Sequence, residues 1–226
     1  MKIIYHGHAA FSLITGDFHL IIDPFLNGNP SAKIKAEDVH PSHILLTHGH
    51  SDHLGDALEL AAANQALIIA PTELANWCAA KGAQSHGMYM GRMKFPFGCC
   101  LMVPAFHGSS IKDNGQTLYG GLACGYVLEL EGKIIYHAGD TGIFGDMANL
   151  SRRAKIDCAL LPIGGNYTMD PIDALAAAKM IGAALTIPMH YNTFPIIRQD
   201  PHAFVDRLGK QGLAGQVLEP EKGIEL

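Results

Sequence analysis

Three histidines and an aspartate fall within six consecutive positions of this chain, in the run Thr47-His48-Gly49-His50-Ser51-Asp52-His53. Histidine is an inefficient core residue, so its clustering with a carboxylate indicates a metal site. Residues 42–46 before the run are apolar enough for a buried strand, and the alanine- and leucine-rich residues 54–64 after it predict a helix. The cluster is therefore expected on a strand-to-helix loop, where several side chains can be aimed at one point.

The composition narrows the class of protein. A chain of 226 residues with 48% hydrophobic and 16% charged residues fits one globular domain over residues 1–226. No apolar run is long enough to span a membrane, and the N-terminus shows no secretory signal. The net charge of −5, without a basic run, disfavours nucleic acid as a partner. Five cysteines without a CxxC pair argue against a disulfide framework and favour the cytoplasm.

Strand and helix signals alternate irregularly along the chain. Short apolar strands dominate the first half, and residues 216–218 predict a last strand. Asp170-Pro171 and Asp200-Pro201 each place a capping aspartate before a proline at the first helical position. Met88, Met90 and Met93, together with Tyr89 and Phe95, are assigned to the core. Hairpins interspersed with strand-to-helix units predict mixed sheets, and two sheets face to face with helices outside satisfy this pattern.

Further metal-ligand side chains follow apolar runs elsewhere. His107, Asp140 and His190 are each the polar residue where a predicted strand stops, so they can converge on one sheet edge. Taken singly, each also fits an ordinary loop residue. Four ligand groups within residues 48–53 exceed what one tetrahedral ion takes from so short a loop, which favours two metals in one cleft.

These residues resemble a known family. The pattern Thr-His-x-His-x-Asp-His at 47–53, followed by His107, Asp140 and His190 in that order, is similar to the metallo-β-lactamase superfamily. Asp23, in Ile21-Ile22-Asp23-Pro24, matches its first motif. The resemblance covers nearly the whole chain and implies an αββα four-layer sandwich, with two mixed β-sheets inside and helices on the outer faces.

A narrower resemblance is to a widely distributed branch of metal-dependent hydrolases related to lactonase-like members. The segments that carry it are Gly7-His8-Ala9-Ala10-Phe11, Asp23-Pro24-Phe25 with Asn29-Pro30, and His190-Tyr191-Asn192-Thr193-Phe194-Pro195. It implies a hydrolase that acts on a small-molecule substrate such as an ester or a lactone.

The superfamily resemblance also implies a site. It assigns His48, His50 and His107 to a first metal ion, Asp52, His53 and His190 to a second, and Asp140 to both. Zn²⁺ is the preferred ion, with Mn²⁺ and Fe²⁺ as alternatives. Asp23 orients the ligand loop without binding metal. Redox diiron members carry a glutamate at the position of His50, so the histidine here favours hydrolysis.

Two dications beside two carboxylates leave net positive charge, which stabilises a bridging hydroxide as the nucleophile. Asp52 and Asp140 are the predicted catalytic carboxylates, with Asp52 orienting the hydroxide or taking its proton. His8, Tyr167, Thr168 and Asn192 are candidates for second-layer or substrate contacts. His8 matches the branch motif, whereas His6 has no counterpart there. The alternative for the loop with Tyr167 and Thr168 is an ordinary strand-to-helix connection.

Two other functions stay open from the sequence. A metal-dependent phosphodiesterase or ribonuclease would use similar chemistry, but the negative charge and the lack of an added nucleic-acid domain disfavour it. A non-catalytic metal-binding module would bind metal without turnover, and the complete set of ligand residues argues against it. The oligomeric state is open, and a homo-oligomer is compatible with the sequence.

Overall fold

Two β-sheets lie face to face in the computed structural model, which describes residues 1–152 and 154–226. In chain order the strands are β1 (Lys2–Gly7), β2 (Ala10–Thr15), β3 (Phe18–Ile22), β4 (His43–Leu45), β5 (Leu67–Pro71), β6 (Ser85–Met88), β7 (Arg92–Phe95), β8 (Gly98–Pro104), β9 (Ser110–Asp113), β10 (Gln116–Tyr119), β11 (Cys124–Leu130), β12 (Lys133–His137), β13 (Cys158–Pro162), β14 (Leu185–Met189) and β15 (Gly223–Glu225). The α-helices are α1 (Ser51–Leu54), α2 (Ala57–Asn64), α3 (Thr72–Ala80), α4 (Pro171–Ile181) and α5 (Pro201–Lys210).

Both sheets are mixed. The first has the strand order β15-β1-β2-β3-β4-β5-β6, in which β1 to β3 pair antiparallel and β3 to β6 pair parallel. The second has the order β14-β13-β12-β11-β8-β7, with β12, β13 and β14 parallel. Parallel neighbours end at the same edge of a sheet, so the loops that follow them lie side by side.

The main core lies between the sheets. Alternate residues of each strand face it, as Ile3 and Tyr5 of β1 do, because successive side chains of a strand point to opposite faces. Tyr126 of β11 joins the two sheets, since its buried hydroxyl donates a hydrogen bond of 2.8 Å to the carbonyl of Leu46. This bond fixes the second sheet against the end of β4, where the histidine-rich loop begins.

Helices cover the outer faces. Helices α2 and α3 pack on the first sheet, where Leu60 and Leu74 are fully buried, and α4 and α5 pack on the second. The buried face of α4 runs from Ala174 to Ile181 at helical spacing. The predicted αββα sandwich is therefore confirmed. Among the described residues, none of these helices has the length and apolarity needed to cross a bilayer.

The predicted helix over residues 54–64 is wrong at its start. The chain forms the short helix α1, breaks at Gly55 with φ of 44°, and begins α2 at Ala57. A Cβ on Gly55 would lie 2.3 Å from the carbonyl oxygen of Pro24, so only glycine permits this close approach. The break leaves Asp52 and His53 on a separate helical turn that faces the site.

Of three further predictions, the structure confirms one, contradicts one and contradicts the third in part. The aspartates of both Asp-Pro pairs cap α4 and α5 through two backbone N–H groups each, as predicted. The predicted strand at 216–218 is wrong: these residues form no strand, the isolated bridge to Thr186 is made by Gly215, and the last strand is β15. The assignment of residues 88–93 to the core is wrong in part, because Tyr89, Met90 and Met93 are exposed.

Candidate metal centre

A buried carboxylate holds the histidine-rich loop at the end of β4. Oδ1 of Asp23 accepts a hydrogen bond of 2.8 Å from the backbone N–H of Thr47, and Oδ2 accepts one of 2.6 Å from the Thr47 hydroxyl. Oδ2 also lies 2.7 Å from Nδ1 of His53. Asp23 follows β3, the parallel neighbour of β4, and is fully buried. It thus orients both the loop and one of its imidazoles.

The first group of ligand-type atoms consists of three imidazoles. One ring nitrogen each of His48, His50 and His107 lies within 4.8 Å of the others. The ring centroids of His50 and His107 are 5.1 Å apart, and those of His48 and His50 are 4.6 Å apart. His107 comes from the loop after β8 in the second sheet, so this group joins the two sheets at their common edge.

The second group lies beside the first. Ligand-type atoms of His8, Asp52, His53 and His190 are all within 4.8 Å of one another. His190 follows β14 at the edge of the second sheet, whereas Asp52 and His53 belong to α1. His53 and His190 are buried, and Asp52 is half-buried.

Asp140, which follows β12, contacts both groups. Its Oδ2 lies 3.0 Å from Nε2 of His190 and 3.6 Å from Nε2 of His107. Its Oδ1 lies 3.3 Å from Nε2 of His53. One carboxylate therefore faces histidines of the first group and of the second.

The histidines of the first group are neutral at physiological pH. Burial, reinforced by the charge of His53, lowers the pKa of His48 well below its usual value. Burial also lowers the pKa of His50 and of His107. A neutral imidazole keeps a lone pair on one ring nitrogen, which metal ligation requires.

The carboxylates make the second group favourable for positive charge. Burial alone lowers the pKa of His53, but Asp140 and Asp23 outweigh it and raise this pKa well above the usual value. Burial opposes ionisation of Asp140, yet His190 and His53 hold its pKa well below the usual range. The hydrogen bond from His8 and the charge of His53 likewise lower the pKa of Asp52 against the effect of burial. The carboxylates that favour a proton on His53 would equally favour a metal cation in its place.

Unpaired buried atoms provide a test of whether the residues fit a metal. Within the cluster, Nε2 of His53, Oδ1 of Asp140 and both ring nitrogens of His190 make no hydrogen bond in the described part of the chain. Such atoms cost about 1–3 kcal/mol each when nothing satisfies them. Imidazole nitrogens and carboxylate oxygens are the ligands that zinc takes in proteins, so the cluster fits a metal ion.

His8 lies beneath the centre and does not line the cavity. Its Nε2 is 3.1 Å from Oδ2 of Asp52, and its Nδ1 is 2.9 Å from the hydroxyl of Thr193. Its carbonyl accepts a 2.7 Å hydrogen bond from the backbone N–H of His190. Burial and the charge of His190 lower the pKa of His8 to about 4. The role of Thr193 could not be found from a motif, since it depends on a contact across 185 positions.

The other predicted residues divide between the site and its surroundings. A cavity of about 510 Å³ opens onto the cluster, and Tyr167 lines it. Thr168 does not line it, and its hydroxyl donates to the carbonyl of Met169. Asn192 is also outside the lining, because its side-chain oxygen accepts a hydrogen bond from the backbone of Gln199. The residues that line the cavity are Phe25, His50, Ser51, Asp52, His107, Asp140, Tyr167, His190, Phe194 and Ile196.

His6 belongs to a separate network. Its Nδ1 lies 2.9 Å from Oε2 of Glu221, and its Nε2 lies 2.7 Å from the hydroxyl of Ser12. These contacts tie the C-terminal segment to the first sheet, and His6 is absent from the cavity lining. Its position agrees with its lack of a counterpart in the branch motif.

The four-layer sandwich and the histidine–aspartate cluster together define a hydrolase of the metallo-β-lactamase fold. A family model described as the β-lactamase superfamily domain matches residues 19–191. The chain therefore belongs to the β-lactamase superfamily, as its motifs indicate.

Individual relatives narrow this class. The chain is 48% identical over 228 residues, 100% of each chain, to a UPF0173 metal-dependent hydrolase of Geobacillus sp. (strain WCH70). It is 48% identical over 226 residues, 99% of each chain, to one of Enterococcus faecalis. The structure of Igni18, a metallo hydrolase from Ignicoccus hospitalis, matches with a TM-score of 0.90 and 35% identity, covering 100% of this chain and 98% of that one. The chain is thus a metal-dependent hydrolase, as predicted.

Proposed function

We propose that the cluster holds two divalent metal ions, with Zn²⁺ as the preferred ion. His48, His50 and His107 would hold the first ion, and Asp52, His53 and His190 would hold the second. The proposal is supported by the two compact groups of ligand-type atoms, each within 4.8 Å, that lie side by side at one edge of the sandwich. Asp140, which faces histidines of both groups, would contribute to both ions.

The number of candidate ligands argues for two ions over one. A single zinc ion in a catalytic site takes three protein ligands and leaves a position open. The cluster offers seven of the predicted ligands, and they fall into overlapping groups instead of one shell. Two ions would use all of these groups, including Nε2 of His53, Oδ1 of Asp140 and one ring nitrogen of His190, which no hydrogen bond satisfies.

The proposed reaction is hydrolysis of a small ester or lactone. The oxygen of water forms a bond to the carbonyl carbon, the bond from that carbon to the leaving oxygen breaks, and the leaving oxygen takes the proton that water loses. When bound, the metal ions supply Lewis acidity, which lowers the pKa of water and polarises a carbonyl oxygen. No serine or cysteine nucleophile is required.

Residues of the chain orient the reactants. Asp52 is ionised, is half-buried and lines the cavity, so it can accept a hydrogen bond from the attacking water. The hydrogen bond from His8 to Oδ2 of Asp52 fixes the orientation of this carboxylate from beneath the centre. Tyr167 also lines the cavity, with an exposed fraction of 53%, so its side chain can contact a substrate.

The surroundings of the centre support a small-molecule substrate. The cavity volume of about 510 Å³ is in the range of small-ligand sites. Among the described residues that line it there is no lysine or arginine to bind a phosphodiester backbone. The cysteines are free thiols, which supports a location in the reducing cytoplasm.

Metal analysis of purified protein, coupled to a panel of lactones, esters, thioesters, phosphodiesters and RNA, tests this function. We expect two metal equivalents per chain and turnover of esters or lactones. Turnover of RNA or phosphodiesters alone would replace the proposal by a phosphodiesterase or ribonuclease. Bound metal without turnover of any member would indicate a binding module. His50→Ala is expected to lose metal and turnover, whereas His202→Ala, an exposed histidine on α5, is the matched control.

A further inference from the structure

We propose that the cavity selects substrates that carry a neutral apolar chain, and that Phe25, Phe194 and Ile196 form the wall against which this chain lies. The inference rests on the proposed hydrolase function for the reacting carbonyl, but the wall itself is defined by these three side chains. They line the same cavity as His50, His107 and other members of the cluster.

The wall residues expose apolar surface that a folded chain ordinarily buries. Ile196 is 58% exposed and Phe194 is 37% exposed, and Phe25 is half-buried. Single exposed apolar residues are common, but these side chains are grouped around one concave site next to the centre. Burying these side chains against a ligand would remove their apolar surface from water, which is favourable. The ligand group that covers them must itself be apolar.

The loop after β14 is built to hold two of these side chains outward. The backbone N–H of Asn192 donates to the carbonyl of Ile197 at 3.0 Å, and its side-chain oxygen accepts from Gln199 at 2.8 Å. Ile197 is fully buried and anchors the short 3₁₀ helix Pro195–Ile197 in the core. Because Ile197 points inward, its neighbour Ile196 is held toward the cavity. A preformed loop loses little conformational entropy on binding.

The wall is continuous with the floor of the centre. The ring of His8 lies edge-on to Phe25 at 5.9 Å and to Phe194 at 5.7 Å between centroids. The same imidazole contacts Asp52, and its ring centroid lies 4.0 Å from that of His190, with the two rings tilted by 41°. An apolar chain against the two phenylalanines would therefore place an attached carbonyl next to the cluster.

The wall itself offers no partner to an anionic substrate tail. The carboxylates of the lining, Asp52 and Asp140, belong to the proposed metal centre, and the described residues of the lining include no lysine or arginine. A carboxylate or phosphate on the substrate tail would lose its hydration at the wall without gaining a cationic partner. The geometry thus assigns the wall to neutral chains.

A homologous series tests the wall by turnover. We expect kcat/KM of the metal-loaded enzyme for γ-lactones to rise about two- to fourfold per added methylene until the wall is filled. Ile196→Ala and Phe194→Ala should flatten this gradient without loss of bound metal. Ile172→Ala on α4, a residue 67% exposed away from the cavity, is the matched control and should keep it. Ile196→Lys should shift the preference toward a chain that ends in a carboxylate.

Equilibrium binding separates this inference from the proposed function. Alkan-2-ones of four to ten carbons are neutral carbonyl compounds without a hydrolysable bond, and calorimetry on metal-loaded protein measures their affinity. Affinity that rises with chain length, and no longer does so in Ile196→Ala, supports the wall even if no ester is hydrolysed. Turnover of esters without any chain-length gradient would overturn the wall and leave the hydrolase standing. Ketone affinities that do not rise with chain length in the wild type would also overturn it.

Discussion

Nδ1 of His53 lies 2.7 Å from Oδ2 of Asp23, although 30 positions separate the two residues. Both side chains are fully buried, and the same carboxylate accepts two hydrogen bonds from Thr47. Asp23 therefore acts on the centre from outside the ligand set, by fixing the orientation of an imidazole and of the loop that carries it.

Asp23→Asn separates the orientation of the His53 imidazole from that of the loop. The amide keeps a hydrogen-bond acceptor and the side-chain volume of Asp23, but it loses the negative charge. We expect the affinity for the second metal ion to fall about 10–100-fold while the fold is retained. Asp23→Ala also leaves buried groups of Thr47 unpaired, so its free energy of unfolding should fall by about 2–5 kcal/mol. Competitive metal titration and urea unfolding measure the two effects. Wild-type metal affinity in Asp23→Asn would contradict the assigned role.

Gly55 is expected to be intolerant of any side chain. Gly55→Ala would combine a left-handed φ with a Cβ placed 2.3 Å from the carbonyl of Pro24. Gly82→Ala is the matched control, since its φ is 92° and no atom lies within 4 Å of the added Cβ. Both variants lose about 1 kcal/mol or more from the backbone conformation, and only Gly55→Ala should also weaken metal binding. Equal metal affinities in the two variants would show that the break after α1 does not position the centre.

Thr193 and His8 are expected to set the position of Asp52. Thr193→Val removes the hydroxyl that lies 2.9 Å from Nδ1 of His8 while keeping the shape of the side chain. We expect weaker binding of the second metal ion, with the first retained, and we expect Thr193→Ser to restore it. The readout is a stepwise zinc titration followed by calorimetry. A loss in Thr193→Ser equal to that in Thr193→Val would mean that packing, not the hydrogen bond, matters here.

Metal removal should lower thermal stability. A ligand that binds only the folded chain stabilises it by about 2.7 kcal/mol per site at a concentration 100 times its dissociation constant. For a chain of this size that corresponds to a rise in Tm of about 5–10 °C. Scanning calorimetry before and after chelation measures it, and Mg²⁺, which prefers oxygen ligands, is the control ion. Equal melting temperatures with chelator and with zinc would contradict a metal site in the folded protein.

Local sequence patterns were sufficient where the signal lies within a few residues. The Asp-Pro pairs begin helices because the aspartate caps the first turn and proline needs no N–H donor there. His107, Asp140 and His190 were found because an apolar run stops at each of them. Their convergence depends on strand pairing across two sheets, which the structure shows. Their roles as metal ligands stay a prediction.

Contacts between distant segments could not be predicted. The pair His8–Thr193 spans 185 positions, and no local pattern relates the two residues. The break at Gly55 arises from the approach of Pro24, which a helical composition does not reveal. The apolar character of Met90 predicts a core position, yet Met90 is exposed in the connection between β6 and β7. Exposure depends on which elements cover a face, and that is a property of the complete fold.

Titration of demetallated protein with zinc tests the two-metal centre most directly. The account predicts two equivalents per chain for the wild type. It predicts one equivalent for His50→Ala, which loses the first ion, and one for His190→Ala, which loses the second. A single equivalent in the wild type, or two equivalents unchanged in both variants, would contradict it.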